Sequence, residues 1–304
     1  MNKVAILGGS GFVGRYIIEE LLSKGYTVKA INRSAIKNIS HVNFNQVIID
    51  LFKDDLSQYL EEIDCLIYNI GIIREFPKQG ISYQSLHQDL AFNVIDSSER
   101  VGIKKVILMS ANGVERKSTR YEVTKLNAEQ KLINSQLKWT IFRPSLIFGD
   151  PNGSMEFCTQ LKQDMISLPL PLPVFFKGLD FINAGSFKMS PIHVQNVSEF
   201  FVKSISMIES DYKIYNIGGS RDIKWKDMIV MLSKSCGKNK FSLPVPILLV
   251  KLLACIFDRW SWFPITNDQI KMLVAGNTCD SNKHFEDFNI KEIPFNMNSL
   301  SYLR

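Results

Sequence analysis

The chain has 304 residues, 45% of them hydrophobic and 22% charged, a composition that fits a folded globular protein and excludes a disordered, collagen-like or coiled-coil chain. Lys and Arg number 36 against 30 Asp and Glu, leaving a formal charge of +6 that is scattered along the sequence, so no nucleic-acid footprint is expected. The cysteines lie far apart, with no CxxC and no Cys/His pair at ligand spacing, which reads as reduced thiols and no metal site.

In chain order, residues 4–7 form a short apolar run ending in glycines, the pattern of a strand buried on both faces. Because that strand pattern starts at Lys3, no removable targeting segment is expected. Val13, Ile17, Ile18, Leu21 and Leu22 recur at helical spacing, and Lys24-Gly25 closes the helix. Further strands are expected over 27–31, 46–49, 65–70 and 105–109, with a long helix marked by Leu86, Leu90, Val94, Ile95 and Val101 before the last of them. Another strand, over 139–142, ends at Arg143-Pro144. Strands regularly separated by helices predict an α/β fold, a Rossmann-type, doubly wound parallel sheet over 1–150. Beyond Asp150 the rhythm breaks. Leu168-Pro-Leu-Pro-Leu-Pro173 cannot be helical, and one more strand near 212–218 is expected to return to the sheet. Residues 151–211 and 219–304 then form a small, mostly helical lobe. Its longest apolar stretch, 244–257, is interrupted by Lys251 and falls short of the ~20 residues needed to span a bilayer. The expected location is cytoplasmic or peripheral on the inner membrane face.

The strongest motif is Gly8-Gly9-Ser10-Gly11-Phe12-Val13-Gly14, set between the first strand and the first helix. Glycines there let backbone N–H groups approach a pyrophosphate, and the helix N-terminus adds a favourable field. The last glycine lets helix and strand pack closely. A turn kept for packing alone would also use glycines, but the strand before, the helix after and the βαβ rhythm beyond weigh for a dinucleotide. Gly8, Ser10, Gly11, Phe12, Val13 and Gly14 are the predicted contacts. The second strand ends at Asn32-Arg33, where an NAD-selective site usually has an acid for the ribose 2′-hydroxyl. A neutral Asn32 and a cationic Arg33 favour a 2′-phosphate, hence NADP(H), with NAD(H) the alternative. Asp50-Leu51 follows the third strand, where an adenine edge could lie; an ordinary strand-end aspartate fits as well.

Tyr121 and Lys125 stand four apart, so on a helix they share a face. A nearby ammonium is expected to lower the phenol pKa and make it a proton donor or acceptor. Such a YxxxK spacing arises by chance about once in a chain this long, so its placement between the fifth strand and the strand ending in Arg143-Pro144 carries the weight.

With these motifs the sequence resembles the short-chain dehydrogenase/reductase superfamily, in its atypical, extended-like branch. The resemblance runs through the glycine turn, Asn69-Ile-Gly71, Val106-Ile-Leu-Met-Ser110, Tyr121 and Lys125. It continues in Arg143-Pro-Ser-Leu-Ile-Phe-Gly149, Pro191-Ile-His-Val194 and Tyr215-Asn-Ile-Gly-Gly219. It implies that Tyr121 is the acid/base, that Lys125 holds the nicotinamide ribose, and that Asn69, Gly71, Ser110, Arg143, Pro144 and Ile147 line the cofactor. The tail, with Phe241-Ser-Leu-Pro-Val-Pro-Ile, an apolar helix and Trp262-Phe-Pro-Ile-Thr-Asn-Asp-Gln-Ile, is similar to the nucleotide-binding accessory subunits of respiratory complex I and their bacterial homologues. That similarity implies NADPH binding in a ubiquinone-related setting. The sequence departs from the enzyme pattern two residues after Ser110, where a catalytic Ser or Thr is common and Asn112 stands instead. Asn112 can orient a substrate oxygen but cannot relay a proton. His87 occupies the helix position that often carries a structural Asn, and His193 is expected to order a loop.

The 245–257 stretch, with Lys251 in it and Arg259, Trp260 and Trp262 after it, has the composition of a lipid- or quinone-facing helix; a core helix of the small lobe is the competing reading. The expected partners are a nicotinamide dinucleotide, a hydrophobic or quinone-like small molecule, and a peripheral membrane or respiratory-complex contact. Two functions compete. One is a reductase of a hydrophobic carbonyl; the other is an accessory protein that holds its nucleotide as part of the fold. A sugar-nucleotide epimerase or dehydratase is the alternative.

Overall fold

Strands that are apolar on both faces belong in the middle of a parallel sheet, because crossover helices cover both sides. Accordingly, every residue of Cys65–Tyr68 and Lys105–Met109 is buried, and four of the five in Lys3–Leu7. The computed structural model describes residues 1–257 and 266–304. Its seven-stranded sheet runs, edge to edge, Lys213–Ile217, Lys138–Pro144, Lys105–Met109, Cys65–Tyr68, Lys3–Leu7, Thr27–Asn32 and Phe44–Ile48. All neighbouring pairs are parallel, with Val4 in register with Val28 on one side and Cys65 on the other. Strand order reverses between Lys3–Leu7 and Cys65–Tyr68, and at such a switch point a crevice opens at the carboxyl ends of the strands. The predicted doubly wound fold is the one found.

Two local details bear on the crevice. The fourth strand stops at Tyr68, short of the expected Ile70; just beyond it Asn69 gives its N–H to Leu7 O (2.9 Å) and its side-chain amide to Gly8 O (3.3 Å). The long helix expected from Leu86 onward begins as one π-helical turn, Gln84–Asp89, before the regular helix Leu90–Val101.

The chain divides into two compact units, residues 1–144, 194–217 and 283–291, and residues 145–193, 218–282 and 292–304. The helix Val194–Ser204, expected in the small lobe, thus belongs with the sheet. Its Phe200 and Phe201 rings lie 6.0 and 4.7 Å from that of Phe142, and Phe288 reaches Phe142 and Tyr215 at 6.1 and 5.1 Å.

In the second unit, Trp225 stacks on Phe175 and Phe187 and donates its indole N–H to Pro173 O (3.0 Å). Around it pack Phe148, Met228, Ile229 and Leu232. The proline-spaced segment leads into the strand Leu172–Phe176, paired in parallel with Ser242–Pro246. The helices Trp225–Ser235, Ile247–Phe257 and Asn267–Ala275 follow the helical expectation for this region. Among the described residues no helix is long and apolar enough to cross a membrane, and no group of His, Cys, Asp and Glu could hold a metal ion. Arg259, Trp260 and Trp262 lie outside the described residues, as do Phe263, Pro264 and Ile265. Cys65, Cys158, Cys236 and Cys279 are free thiols.

Candidate functional site

The glycine turn is dictated by contact. Gly8 has φ +87°, and a Cβ at Gly14 would stand 2.1 Å from Gly8 O, so only glycine lets the helix start press on the strand end. The helix Phe12–Ser23 opens at Gly11 with no side-chain cap and no acid in its first turn. That leaves its end open to an anion. Ser10 and Gly11 are exposed, and Phe12 and Val13 are half-buried.

Beside this turn, Asn32 is 2% exposed, yet neither its amide oxygen nor its amide nitrogen has a hydrogen-bond partner. Its oxygen lies 3.5 Å from where a Cβ on Gly9 would stand. An orphaned buried amide costs about 1–3 kcal/mol, which a ligand offering a donor and an acceptor would relieve. Arg33 is exposed and lines a groove of about 610 Å³ with Ile48, Asp50, Phe52 and Gly80. The Phe52 N–H first, then Lys53, and more weakly the Arg33 charge, hold the Asp50 carboxyl below its usual pKa. The Leu51 side chain, expected at the adenine edge, instead packs with Leu56 and Leu60 in the core, since burial is worth more to an isobutyl group than a solvated rim.

The helix Arg120–Ile133 starts from a capping box. Thr119 Oγ1 accepts from the Glu122 N–H (3.2 Å), and the Glu122 carboxylate accepts from the Thr119 N–H (3.1 Å). The fixed start puts Tyr121, Lys125 and Glu129 on one stripe. Lys125 is buried and donates to Ile70 O (3.1 Å) and Met109 O (3.0 Å), which leaves its third N–H for a ligand. A Cβ on Gly71 would approach the ammonium at 3.1 Å, so Gly71 makes room for it. Burial pushes the Lys125 pKa down to about 8, against the opposing charge of Glu129. Tyr121 meets Tyr83 and His87 edge-on, at 5.6 and 5.2 Å, and its hydroxyl has no hydrogen-bond partner among the described residues. Its pKa is pushed up to about 12, by burial first and by Glu122 second. The expected lowering by Lys125 is not found; burial and the Glu122 charge set the direction instead.

His87, whose place in the sequence suggests only a structural role, is fully buried in the π-helical turn. Its Nε2 accepts from the Ile72 N–H (3.0 Å), so the ring proton sits on Nδ1 and is given to Thr124 Oγ1 (3.3 Å). Burial, then the Lys125 charge, lower its pKa to about 2. The neutral ring thus pins the chain just after Gly71 and braces Tyr121. π-Turns recur at functional sites because they turn such a side chain inward.

Ser110 and Arg143, expected to touch the cofactor, are spoken for. Ser110 Oγ donates to Glu129, and Arg143 grips the same carboxylate through Nε (2.9 Å) and Nη2 (2.6 Å) while Nη1 reaches Glu115 (2.6 Å). Glu129 has no solvent exposure, and a carboxylate at such depth needs this compensation. Sequence reasoning missed Glu129, although its spacing of four from Lys125 was the available signal. Asn112 is half-buried and gives its backbone N–H to Pro144 O (2.9 Å). Ile147 belongs to the second unit, where Ile147–Phe148 pairs with Ile192–His193. His193 stands edge-on to Phe148 at 5.1 Å, with its pKa lowered by burial to about 4.

A glycine cradle that a Cβ would fill, beside an orphaned amide at a topological switch point, fits a nicotinamide dinucleotide. A family model described as NAD(P)H-binding matches residues 8–167, more than half of the sequence, and the chain belongs to that family. Among its relatives is the mitochondrial NADH-ubiquinone oxidoreductase 40 kDa subunit of Neurospora crassa, 22% identical over 95% of this chain and 76% of that one. The photosystem II assembly factor Ycf39 of Trieres chinensis is 23% identical over 88% of this chain and 80% of its own. The solved structure of MoeE5 in complex with UDP-glucose and NAD superposes with a TM-score of 0.74, at 17% identity over 99% of this chain and 97% of that one. At that identity the likeness speaks for the fold. These relatives agree with the resemblance to extended short-chain dehydrogenase/reductases.

Proposed function

We propose that this chain is an NADP(H)-binding accessory protein of the atypical short-chain dehydrogenase/reductase kind, holding its nucleotide as part of its fold beside a quinone-linked respiratory membrane system. The observation that carries this reading is the state of the proton path. Asn112 stands where a relaying hydroxyl is usual, the Ser110 hydroxyl is committed to Glu129, and the Tyr121 pKa of about 12 makes it a weak acid. The nucleotide half carries none of these defects. The first-turn N–H groups after Gly8, Ser10 and Gly11 would take the pyrophosphate, with Phe12, Val13 and Gly14 shaping the turn. Asn32 would bond the adenosine ribose, Arg33 a 2′-phosphate, and Asp50 the adenine edge, which makes NADP(H) the preferred form over NAD(H). Asn69, Gly71 and the third N–H of Lys125 would hold the nicotinamide ribose, with Pro144 alongside. The bound group supplies two-electron hydride chemistry. The relative named as an NADH-ubiquinone oxidoreductase subunit supports the respiratory setting.

A second reading, reduction of a hydrophobic, quinone-like carbonyl, is favoured by the unpartnered Tyr121 hydroxyl. Tyr121 would give the proton, Lys125 would hold the ribose, and Asn112 would orient the oxygen. Sugar-nucleotide epimerase or dehydratase chemistry is supported by the shared fold and by a relative named as a UDP-glucose 4-epimerase. Mass spectrometry of the nucleotide released from purified protein, with its exchange rate against added NADPH, separates the readings. NADPH that is held and does not exchange is the expected result. Rapid exchange, with carbonyl turnover that Tyr121→Phe cuts by about 100-fold or more, would replace the accessory reading with the reductase.

A further inference from the structure

The second unit carries an apolar face that its own core leaves unused. The helix Ile247–Phe257 buries Ile247 and Ala254 against Ile270, yet Leu248 and Leu252, one turn apart, are 66% and 55% exposed. Leu249 and Leu253 beside them are exposed as well. A helix at the surface of a globular domain normally turns its apolar stripe inward and a polar face outward; this one turns a second apolar face to solvent. The strand Ser242–Pro246 leads straight into the helix and adds exposed Phe241 and Leu243 at its start. The loop after Leu172–Phe176 holds Leu179 and Ile182 at 93% and 82% exposure. That loop and the helix both line one cavity of about 210 Å³, through Asp180 and Asn183 and through Ile247, with Val274 of the helix Asn267–Ala275.

Ammonium groups stand at the roots of these side chains. Lys240 Nζ donates to the carbonyls of Met165 (3.3 Å), Leu168 and Leu170 (2.8 Å), and Lys238 Nζ to those of Ile166 (3.2 Å) and Ser167 (3.1 Å). Leu168 and Leu170 are themselves exposed. Lys251 interrupts the leucine stripe, and the helix contains no acid. Nearby, Asp268 pairs with Lys271 (3.8 Å) and Asp180 accepts from Asn183 (3.0 Å). In sequence the helix is followed by Arg259, Trp260 and Trp262, residue types enriched where protein meets lipid headgroups. Bulky apolar groups with cations at their base suit a bilayer interface, the side chains entering the acyl boundary and the ammoniums meeting anionic headgroups. Eleven residues rise about 16 Å, well below the roughly 30 Å hydrocarbon core, so the helix would lie in the interface. A symmetric dimer through the same face would bring Lys251 against its own copy, which disfavours a second chain as the occupant.

We infer that this face, centred on Leu248, Leu249, Leu252 and Leu253, docks on an anionic phospholipid bilayer. The inference rests on the peripheral, membrane-linked part of the proposed function and deepens it by naming lipid as the contact. Flotation of the full chain with vesicles of phosphatidylcholine and phosphatidylglycerol, roughly two to one, tests it. The protein is expected to float with these vesicles, and several-fold less with phosphatidylcholine alone or at high salt. Leu248→Asp/Leu252→Asp should cut binding by about tenfold or more while leaving the melting temperature and nucleotide content unchanged. Leu179→Asp/Ile182→Asp, on a separate element, should weaken it too. Wild-type protein that stays out of the anionic vesicle fraction, or variants that float as well as wild type, would overturn the inference. So would a dimer that the variants dissolve without any vesicle binding. Nucleotide measured on the same samples keeps the two readings apart, since an empty site with flotation intact counts only against the nucleotide.

Discussion

The two ends of the crevice in the first unit are built on opposite principles. At the Tyr121–Lys125 end the supporting groups satisfy one another and leave only the Tyr121 hydroxyl and one Lys125 N–H open: Lys125 rests on two carbonyls, His87 bonds Ile72 and Thr124, and Glu129 is clamped by Ser110 and Arg143. At the Asn32–Arg33 end the buried amide has no partner and the guanidinium stands at an open groove. A preassembled end resists change and keeps its shape with or without ligand. An end left incomplete derives its affinity and its choice of ligand from what binds there. The chain thus invests its internal contacts in holding the helix stripe and leaves selection to the second strand.

Mutations can break this contrast in order of size. Glu129→Ala should have the largest effect, destabilising the protein by about 3–5 kcal/mol in urea denaturation, because it leaves the buried Arg143 with only the exposed Glu115 as a partner. A loss under about 1 kcal/mol would mean that the preassembled end is held by something else. Gly14→Ala forces a Cβ onto Gly8 O and should cost about 3 kcal/mol together with nucleotide binding, read by thermal melting and by titration.

Acid sharpens the contrast further. His87 is neutral in the folded chain, with a pKa near 2, but takes a proton near its ordinary 6.5 when unfolded. Its contribution is therefore full above pH 6.5 and declines as pH falls from there toward 2. Lowering the pH to 5 should cost about 2 kcal/mol through this group alone. Comparing wild type with His87→Asn at pH 7 and pH 5 should show that loss only in the wild type. Smallest is Arg33→Ala, which should leave the melting temperature unchanged and weaken NADPH about tenfold while NADH changes little. Equal effects on both nucleotides would remove the case for a 2′-phosphate.

Much of this site was legible in one dimension. Buried parallel strands read as continuous apolar runs, so Cys65–Tyr68 and Lys105–Met109 could be placed from hydrophobicity, and the clash that only glycine avoids at Gly8 and Gly14 left its mark as spacing. The i,i+4 relation of Tyr121 and Lys125 is likewise a property of the helix alone. What the sequence could not carry were partnerships between residues far apart in the chain or on different elements. Arg143 reads as a cofactor contact until the fold brings it to Glu129, and Leu51 reads as a rim residue until Leu56 and Leu60 close over it. Tyr121 looks activated by Lys125 until the fold buries its phenol near Glu122. The leucines of Ile247–Phe257 carry the same hydropathy whether they face a core or solvent. Local sequence determined which elements form and where glycine and capping are required, since those depend on neighbours within a few residues. Which polar groups are satisfied, and which apolar face remains outside, depends on contacts that exist only once the chain has folded.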